Sequence, residues 1–226
     1  MISEKEYTDY RNKLYNIIPG IEYAEKDYYE YNCKRQIYFS KLSSKGLKDM
    51  HEYSVLPKFY EHMEMPPHKS IDDTRRYLDN LNNRVKFGYH GGDVMYWFLQ
   101  EFGTNKVIGT AGLVGVNLHK RQAEIAFGIS PCYWGNGYIF EALWLLLKYC
   151  FEVLNLNRIS GGTQKDNQRV VSVLKTAGFK IEGCLREYNI RFDGTLHDVL
   201  IMSLLKREAK LERCLAITKI ASGEWK

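Results

Sequence analysis

The stretch from Gln122 to Leu154 constrains this chain more than any other, because three patterns follow one another in it without a gap. Gln122 to Ile129 reads as a strand. Next comes Pro131-Cys132-Tyr133-Trp134-Gly135-Asn136-Gly137, and then Ile139, Leu143, Leu146, Leu147, Cys150, Phe151 and Leu154, apolar residues at helical spacing. A helix start leaves about four backbone N–H groups without partners, and glycines just before it let an anion come close to them. Gly135 and Gly137 supply that approach, although a tight strand-to-helix turn that binds nothing would use the same two glycines. A dinucleotide fingerprint would place a third glycine where Phe140 stands, and the Gly-Lys-Ser or Gly-Lys-Thr of a Walker loop is absent.

The flanking elements say what kind of sheet this turn belongs to. Val94 to Glu101 and Lys106 to Val116 are rich in β-branched and aromatic residues around Gly103-Thr104-Asn105, which predicts a hairpin. Asn117 to Lys120 turns the chain into Gln122 to Ile129, completing an antiparallel meander. Upstream, Gln36 to Leu42 reads as a strand, and Gly46 to Val55 and Pro57 to Met65 as short helices. Ser70, with Asp73 three residues on, predicts a capped helix through about Asn83. Downstream, Arg158 to Thr163 suits a strand and Asn167 to Thr176 a helix stopped by Ala177-Gly178. Lys180 to Phe192 and Thr195 to Leu205 form a last hairpin turning at Asp193-Gly194. The fold class is therefore α/β (α+β), with a mixed but mostly antiparallel sheet.

At 226 residues the chain suits one core with decorated ends. We expect an N-terminal extension over 1–34, rich in tyrosines and broken at Pro19-Gly20, a domain over 35–206, and a charged, helical tail over 207–226. The longest apolar stretches, Val94 to Leu99 and Ala142 to Leu147, fall well short of the ~20 residues of a membrane span. Met1 to Arg11 has no apolar signal region, so a cytoplasmic protein without a membrane partner is expected. Cys33, Cys132, Cys150, Cys184 and Cys214 form an odd set without C-x-x-C spacing, which suggests reduced thiols and no metal. The charge of +5 is scattered, and basic pairs such as Lys34-Arg35, Arg75-Arg76, Lys120-Arg121 and Lys206-Arg207 are too sparse for a nucleic-acid stripe.

Ala123-Glu124-Ile125-Ala126-Phe127-Gly128-Ile129-Ser130-Pro131, Trp134-Gly135-Asn136-Gly137-Tyr138 and Glu141-Ala142-Leu143 closely resemble the central motif of the GNAT acetyltransferases. The resemblance continues through Asn167, Gly178-Phe179-Lys180, Glu182-Gly183, Leu185-Arg186-Glu187 and His197-Asp198, covering about Gln36 to Leu205. Its spacing is similar to that of the branch that acetylates α-amino ends of ribosomal proteins and various small amines. It implies a sheet of about seven strands with helices on both faces and acetyl-CoA as cosubstrate, without a metal. Acetyl-CoA would lie in a V-shaped cleft between the fourth and fifth strands. The resemblance further implies pantetheine contacts at Phe127, Gly128, Ile129 and Asn167, and pyrophosphate contacts at Gly135, Asn136, Gly137, Tyr138 and Ile139. Three positions depart from the family pattern. Cys132 begins the glycine motif in place of Gln or Arg, Val170 stands where this branch often has a serine, and Leu174 where other branches have a tyrosine. Ser172 would face elsewhere on the helix.

An amine attacks only when neutral, and a lysine-like amine is protonated at pH 7, so the site must accept a proton. Glu124 is the candidate base; a charge merely paired with Arg121 or Lys120 is the plainer alternative. A backbone N–H near Phe127 would serve the oxyanion. Tyr133, Tyr138 and Tyr188 are weighed as proton donors to the leaving thiolate, with packing the plainer role. Asn167 suits a helix N-cap as well as a cofactor contact. His62, Glu64 and His68 are placed near an acceptor pocket, and Cys132 and Cys150 are read as buried small hydrophobes. The expected function is acetyl transfer from acetyl-CoA to a primary amine, of a protein N-terminus or a small molecule. The competing class is a non-catalytic acyl-CoA-binding module, and a homodimer is left open.

Overall fold

Seven strands form one sheet in the order β1-β2-β3-β4-β5-β7-β6 in the computed structural model, which describes residues 4–19, 35–89 and 92–221. Gly20, Tyr23, Tyr28, Tyr29, Tyr31, Cys33 and Lys34 lie outside the described residues. The strands are β1 (Ile37–Lys41), β2 (Asp93–Glu101), β3 (Val107–Asn117), β4 (Gln122–Ile129), β5 (Arg158–Gln164), β6 (Lys180–Ile190) and β7 (Leu196–Leu205). The helices are α1 (Glu4–Tyr15), α2 (Leu47–Ser54), α3 (Ile71–Phe87), α4 (Tyr138–Lys148), α5 (Gln168–Thr176) and α6 (Glu212–Ala221). Every neighbouring pair runs antiparallel except β4 and β5, which are parallel. This is the mixed, mostly antiparallel sheet expected from the sequence. No helix among the described residues is long and apolar enough to cross a membrane.

Strand periodicity assigns the two faces of the sheet. Ala123, Ile125 and Ile129 of β4 join Leu143, Leu146 and Leu147 of α4 and Leu174 of α5 in the main core, so α4 and α5 cover one face. On the other face, Phe98 and Val107 pack with Met50 of α2 and with Leu78 and Leu81 of α3. Cys214 on α6 is fully buried in the main core, so this part of the C-terminal segment packs on the domain. Cys150 is buried as expected, but Cys132 is exposed, because it sits in the short turn Pro131–Tyr133 that leads the chain out of β4.

Helix ends follow local chemistry where it is strong. Ser70 Oγ accepts the Asp73 N–H at 3.2 Å while Asp73 Oδ2 accepts the Ser70 N–H at 2.9 Å, a complete capping box at the start of α3. That helix runs past the expected Asn83 to Phe87 and stops at Gly88, which adopts φ 78° and supplies the backbone freedom that a helix exit favours. The helix expected over Pro57 to Met65 forms only the single turn Pro57–Tyr60. Beyond it, distant partners hold the chain: Arg169 takes Glu61 at 3.0 Å and Arg191 takes His62 at 2.8 Å, and these tertiary contacts override local helix preference.

The same connection is tied to α3 by Thr74, which is fully buried and whose Oγ1 lies 2.8 Å from His51 Nδ1 and 2.9 Å from His68 Nδ1. Burial holds the His68 pKa below its ordinary value. We therefore expect Thr74→Val, which keeps the shape and removes the hydroxyl, to cost about 1–2 kcal/mol in urea unfolding, because it strands two imidazole nitrogens. An unchanged unfolding midpoint would show that water replaces the hydroxyl.

Candidate active site

β4 and β5 stay paired for only three residues, Gln122 with Arg158, Ala123 with Ile159 and Glu124 with Ser160. Both strands continue, β4 to Ile129 and β5 to Gln164, but β4 follows β3 while β5 follows β7, and a gap opens between them. The backbone of β4 facing that gap can be deduced from its neighbours. The Ser130 N–H donates to Ile108 on the β3 side, whereas the Arg121 carbonyl accepts from Asn157 and Arg158 on the β5 side. Register with β3 is regular from Glu124 to Ile129, so odd-numbered residues turn their peptide groups toward the gap. Phe127 and Ile129 therefore present backbone groups to the cleft, and Trp134 Nε1 already donates to the Ile129 carbonyl at 2.9 Å. Gly128 turns its peptide groups to β3 instead. Its part is to have no side chain, since a Cβ there would meet the Phe59 ring at 3.0 Å.

The gap is a slot through the sheet, and a cavity of about 580 Å³ occupies it. On the α4 side its walls are Gly135, Gly137, Tyr138 and Ile139, then Asn167, Val170 and Val173 of the α5 region; on the other side they are Phe59, His62, Met63 and Glu124. Gly135 and Gly137 have φ of 83° and 81°, the left-handed region that side chains disfavour. Gly137 caps α4, and its carbonyl accepts the Phe140 N–H at 2.9 Å, so the N–H groups of Tyr138 and Ile139 precede the first intrahelical bond. An anion at this end of the slot would meet those N–H donors and the positive end of the helix dipole. Asn136 is exposed and lies outside the cavity wall. Asn167 caps α5 by accepting the Val170 N–H on Oδ1 at 3.3 Å, which leaves its amide N–H₂ for the cleft it lines.

Glu124 sits at the fork, on the last paired rung of the sheet. Its side chain is open to the cleft, and burial of the group raises its carboxyl pKa above the usual range. Among the described residues no ion pair or hydrogen bond holds that carboxylate, and Arg121, the partner considered from sequence, reaches Asn155 instead, at 2.9 and 3.0 Å. Tyr138 OH donates to Glu101 at 3.1 Å and its ring meets Tyr133 edge-on, and both tyrosines line the slot; burial and that carboxylate push the Tyr138 hydroxyl up to about 12. Tyr188 is 67% exposed on β6. Ser172 does line the cavity, contrary to the sequence expectation, because it shares a helix face with Arg169 and Val173. Of the three residues placed near the acceptor pocket, His62 lines the slot; His68 packs between the Tyr60 and Tyr77 rings, and Glu64 lies outside the cavity wall.

The profile of the acetyltransferase (GNAT) domain matches residues 36–180. The chain belongs to the GNAT acetyltransferase family. It is an acetyl-CoA-dependent acetyltransferase by that membership, and its similarity to the "Uncharacterized N-acetyltransferase p20" of Bacillus licheniformis is 32% identity over 157 residues, 70% of this chain and 85% of that one. A 75-residue stretch is 36% identical to the spermidine N(1)-acetyltransferase of Escherichia coli strain K12, covering 33% of this chain and 40% of that enzyme. The fold is similar to that of spermidine N-acetyltransferase from Vibrio cholerae, solved with CoA and spermine, with a TM-score of 0.64 at 23% identity over 76% of this chain and 97% of the other. In this GNAT protein two cleft features have no local signal in the sequence. Arg169 lies over the Trp134 ring at 4.1 Å while pairing with Glu61, and Arg191 clasps His62 from the far half of the sheet. Both depend on residues distant in the chain.

Proposed function

We propose that this GNAT enzyme transfers the acetyl group directly from acetyl-CoA to a primary amine, with no acyl-enzyme, and that donor and acceptor enter the slot from opposite faces of the sheet. The observation that carries this reading is the placement of the free carboxylate of Glu124 on one face and the glycine-rich start of α4 on the other, with the unpaired backbone of β4 between them. In this reading the N–H groups from Gly135 to Ile139 hold the pyrophosphate, Asn136 contributing backbone only. The backbone of Phe127 and Ile129, with the Asn167 amide, holds the pantetheine arm. Acetyl-CoA supplies a thioester whose thiol leaving group has a pKa near that of cysteine, roughly 8.5, so departure needs little acid assistance. This suits a cleft whose α5 wall carries Val170 and Leu174 at the positions where the family resemblance places a serine or a tyrosine.

Glu124 takes a proton from the bound ammonium, directly or through one water, to give the neutral amine that attacks, and its raised pKa makes it a better base than an ordinary glutamate. The Phe127 N–H, on the strand edge that faces the gap, stabilises the negative charge that develops on the carbonyl oxygen as the C–N bond forms; as the C=O re-forms the C–S bond breaks, CoA leaves as the thiolate, and the second proton of the amine nitrogen passes to that thiolate or to water. Amine-dependent release of CoA thiol, followed across a panel of peptides with free α-amino ends, amino alcohols and polyamines, tests the proposal. Stoichiometric thiol and N-acetyl product is the expected result. Binding of acetyl-CoA with no amine-dependent thiol release from any of them would overturn it.

A further inference from the structure

The acceptor side of the slot is bridged by a fixed hydrogen-bond network. His62, in the connection between α2 and α3, receives Arg191 Nη2 on Nδ1 at 2.8 Å. Arg191, from the turn after β6, is itself held at Nε by Gln164 Oε1 at 2.7 Å and at Nη2 by Asp166 Oδ2 at 2.6 Å. The side chains of Arg191 and His62 are 16% and 17% exposed, so this clasp is largely shielded from water. A guanidinium can only donate, so in this contact His62 Nδ1 is the acceptor and the ring N–H is the one at Nε2. Asp166 Oδ1, 3.5 Å from the same Nδ1, is the weaker contact, and His197 takes the other side of Asp166 at 3.4 Å. With Nδ1 engaged, Nε2–H is the one polar group that His62 has left for a ligand, and His62 lines the same cavity as Glu124.

The carboxylates at this mouth are already paired: Asp166 with Arg191, and Glu61 with Lys58 at 3.3 Å and Arg169 at 3.0 Å. Glu124 alone among these acids stands unpaired. A polyamine, which carries several positive charges along an alkyl chain, would find one free carboxylate and an N–H donor that its ammonium groups cannot use. An amine with an oxygen close to its nitrogen would use both. Building on the direct transfer proposed above, we infer that His62 is a specificity-determining residue whose Nε2–H donates to a hydroxyl or carbonyl oxygen beside the acceptor nitrogen. The substrate class is then an oxygen-bearing amine, not a plain alkyl polyamine, and Arg191, Asp166 and Gln164 are positioning residues that hold the tautomer.

The test uses four amines on the full-length protein: 2-aminopropan-1-ol, alaninamide, 2-aminobutane and spermidine, with kcat/KM from CoA thiol release for wild type, His62→Ala and His62→Gln. The first two offer a hydroxyl and a carbonyl where the third has only carbon, and the different amine pKa values cancel when each variant is compared with wild type on the same amine. We expect His62→Ala to lose about fivefold or more on the oxygen-bearing amines through KM, with 2-aminobutane unchanged. His62→Gln, whose amide N–H₂ can stand near the Nε2 position, should recover most of that loss. Thermal stabilisation by acetyl-CoA should be the same in all three proteins, which separates this role from a structural one. Equal losses on all amines, or a wild type that prefers spermidine, would overturn the assignment of His62 and leave direct amine transfer standing. Failure of all four amines and of peptides with free α-amino ends, despite acetyl-CoA binding, would overturn both.

Discussion

Gly137→Val removes the stabilisation that acetyl-CoA gives the wild-type fold. At about a hundred times its dissociation constant, a ligand that binds only the native state adds ~2.7 kcal/mol, readable as a shift in the melting temperature. The substitution acts twice. A valine at φ 81° is strained in a conformation that side chains, and β-branched ones most of all, avoid, and its methyl groups would stand where the pyrophosphate is proposed to meet the Tyr138 and Ile139 N–H groups. Strain alone lowers the melting temperature without acetyl-CoA, so the informative quantity is the ligand-induced shift. Gly103→Val is the control, since Gly103 has φ 96° at the tip of the β2–β3 hairpin, where an added Cβ would meet nothing within 4 Å. It should lose stability by a similar mechanism and keep the full shift. Equal shifts in Gly137→Val and wild type would place the pyrophosphate elsewhere.

Glu124→Gln has the second large effect, a loss of kcat by a factor of about 10²–10⁴ with acetyl-CoA binding intact, the range that removal of a general base produces. Its pH signature follows from the direction of the pKa shift. The carboxylate is the active form, so wild-type kcat should fall as pH drops through a carboxyl pKa raised above the ordinary glutamate value, and the residual activity of the Gln variant should lack that limb. Stability moves the opposite way. A carboxyl with a raised folded-state pKa binds more protons folded than unfolded between the two pKa values, so its contribution to stability is lost as pH rises through that window. The Gln variant should therefore be at least as stable as wild type at neutral pH. A variant that is inactive because it is unfolded would contradict this, as would one that retains full kcat.

The parts of the site that are legible in the sequence are those specified by neighbours in the chain. Strand, glycine turn and helix from Gln122 to Leu154 can be read because each signal is local, and the Ser70–Asp73 cap likewise. The opening between β4 and β5 is implied by the family resemblance, while their parallel pairing over three residues is seen in the structure. What cannot be read depends on contacts across the sheet. Glu61 and His62 leave helical geometry for partners 108 and 129 residues away, and no periodicity in Pro57 to Met65 records that. Ser172 escapes a reading by periodicity because helical spacing from Val170 says which residues share a face but not how broad the face lining the slot is. Gly128 reads as a backbone contact because its neighbours do; only the register with β3 shows that its peptide groups point away.

Thermal unfolding of the wild-type protein under increasing acetyl-CoA, with CoA, ATP and NAD as comparisons, tests the central claim without knowledge of the acceptor. The slot predicts a saturable rise in melting temperature with acetyl-CoA and with CoA, which share the pantetheine arm and pyrophosphate, and no comparable saturable rise with NAD or ATP. An absence of any shift at millimolar acetyl-CoA, or an equal shift with all four nucleotides, would contradict it.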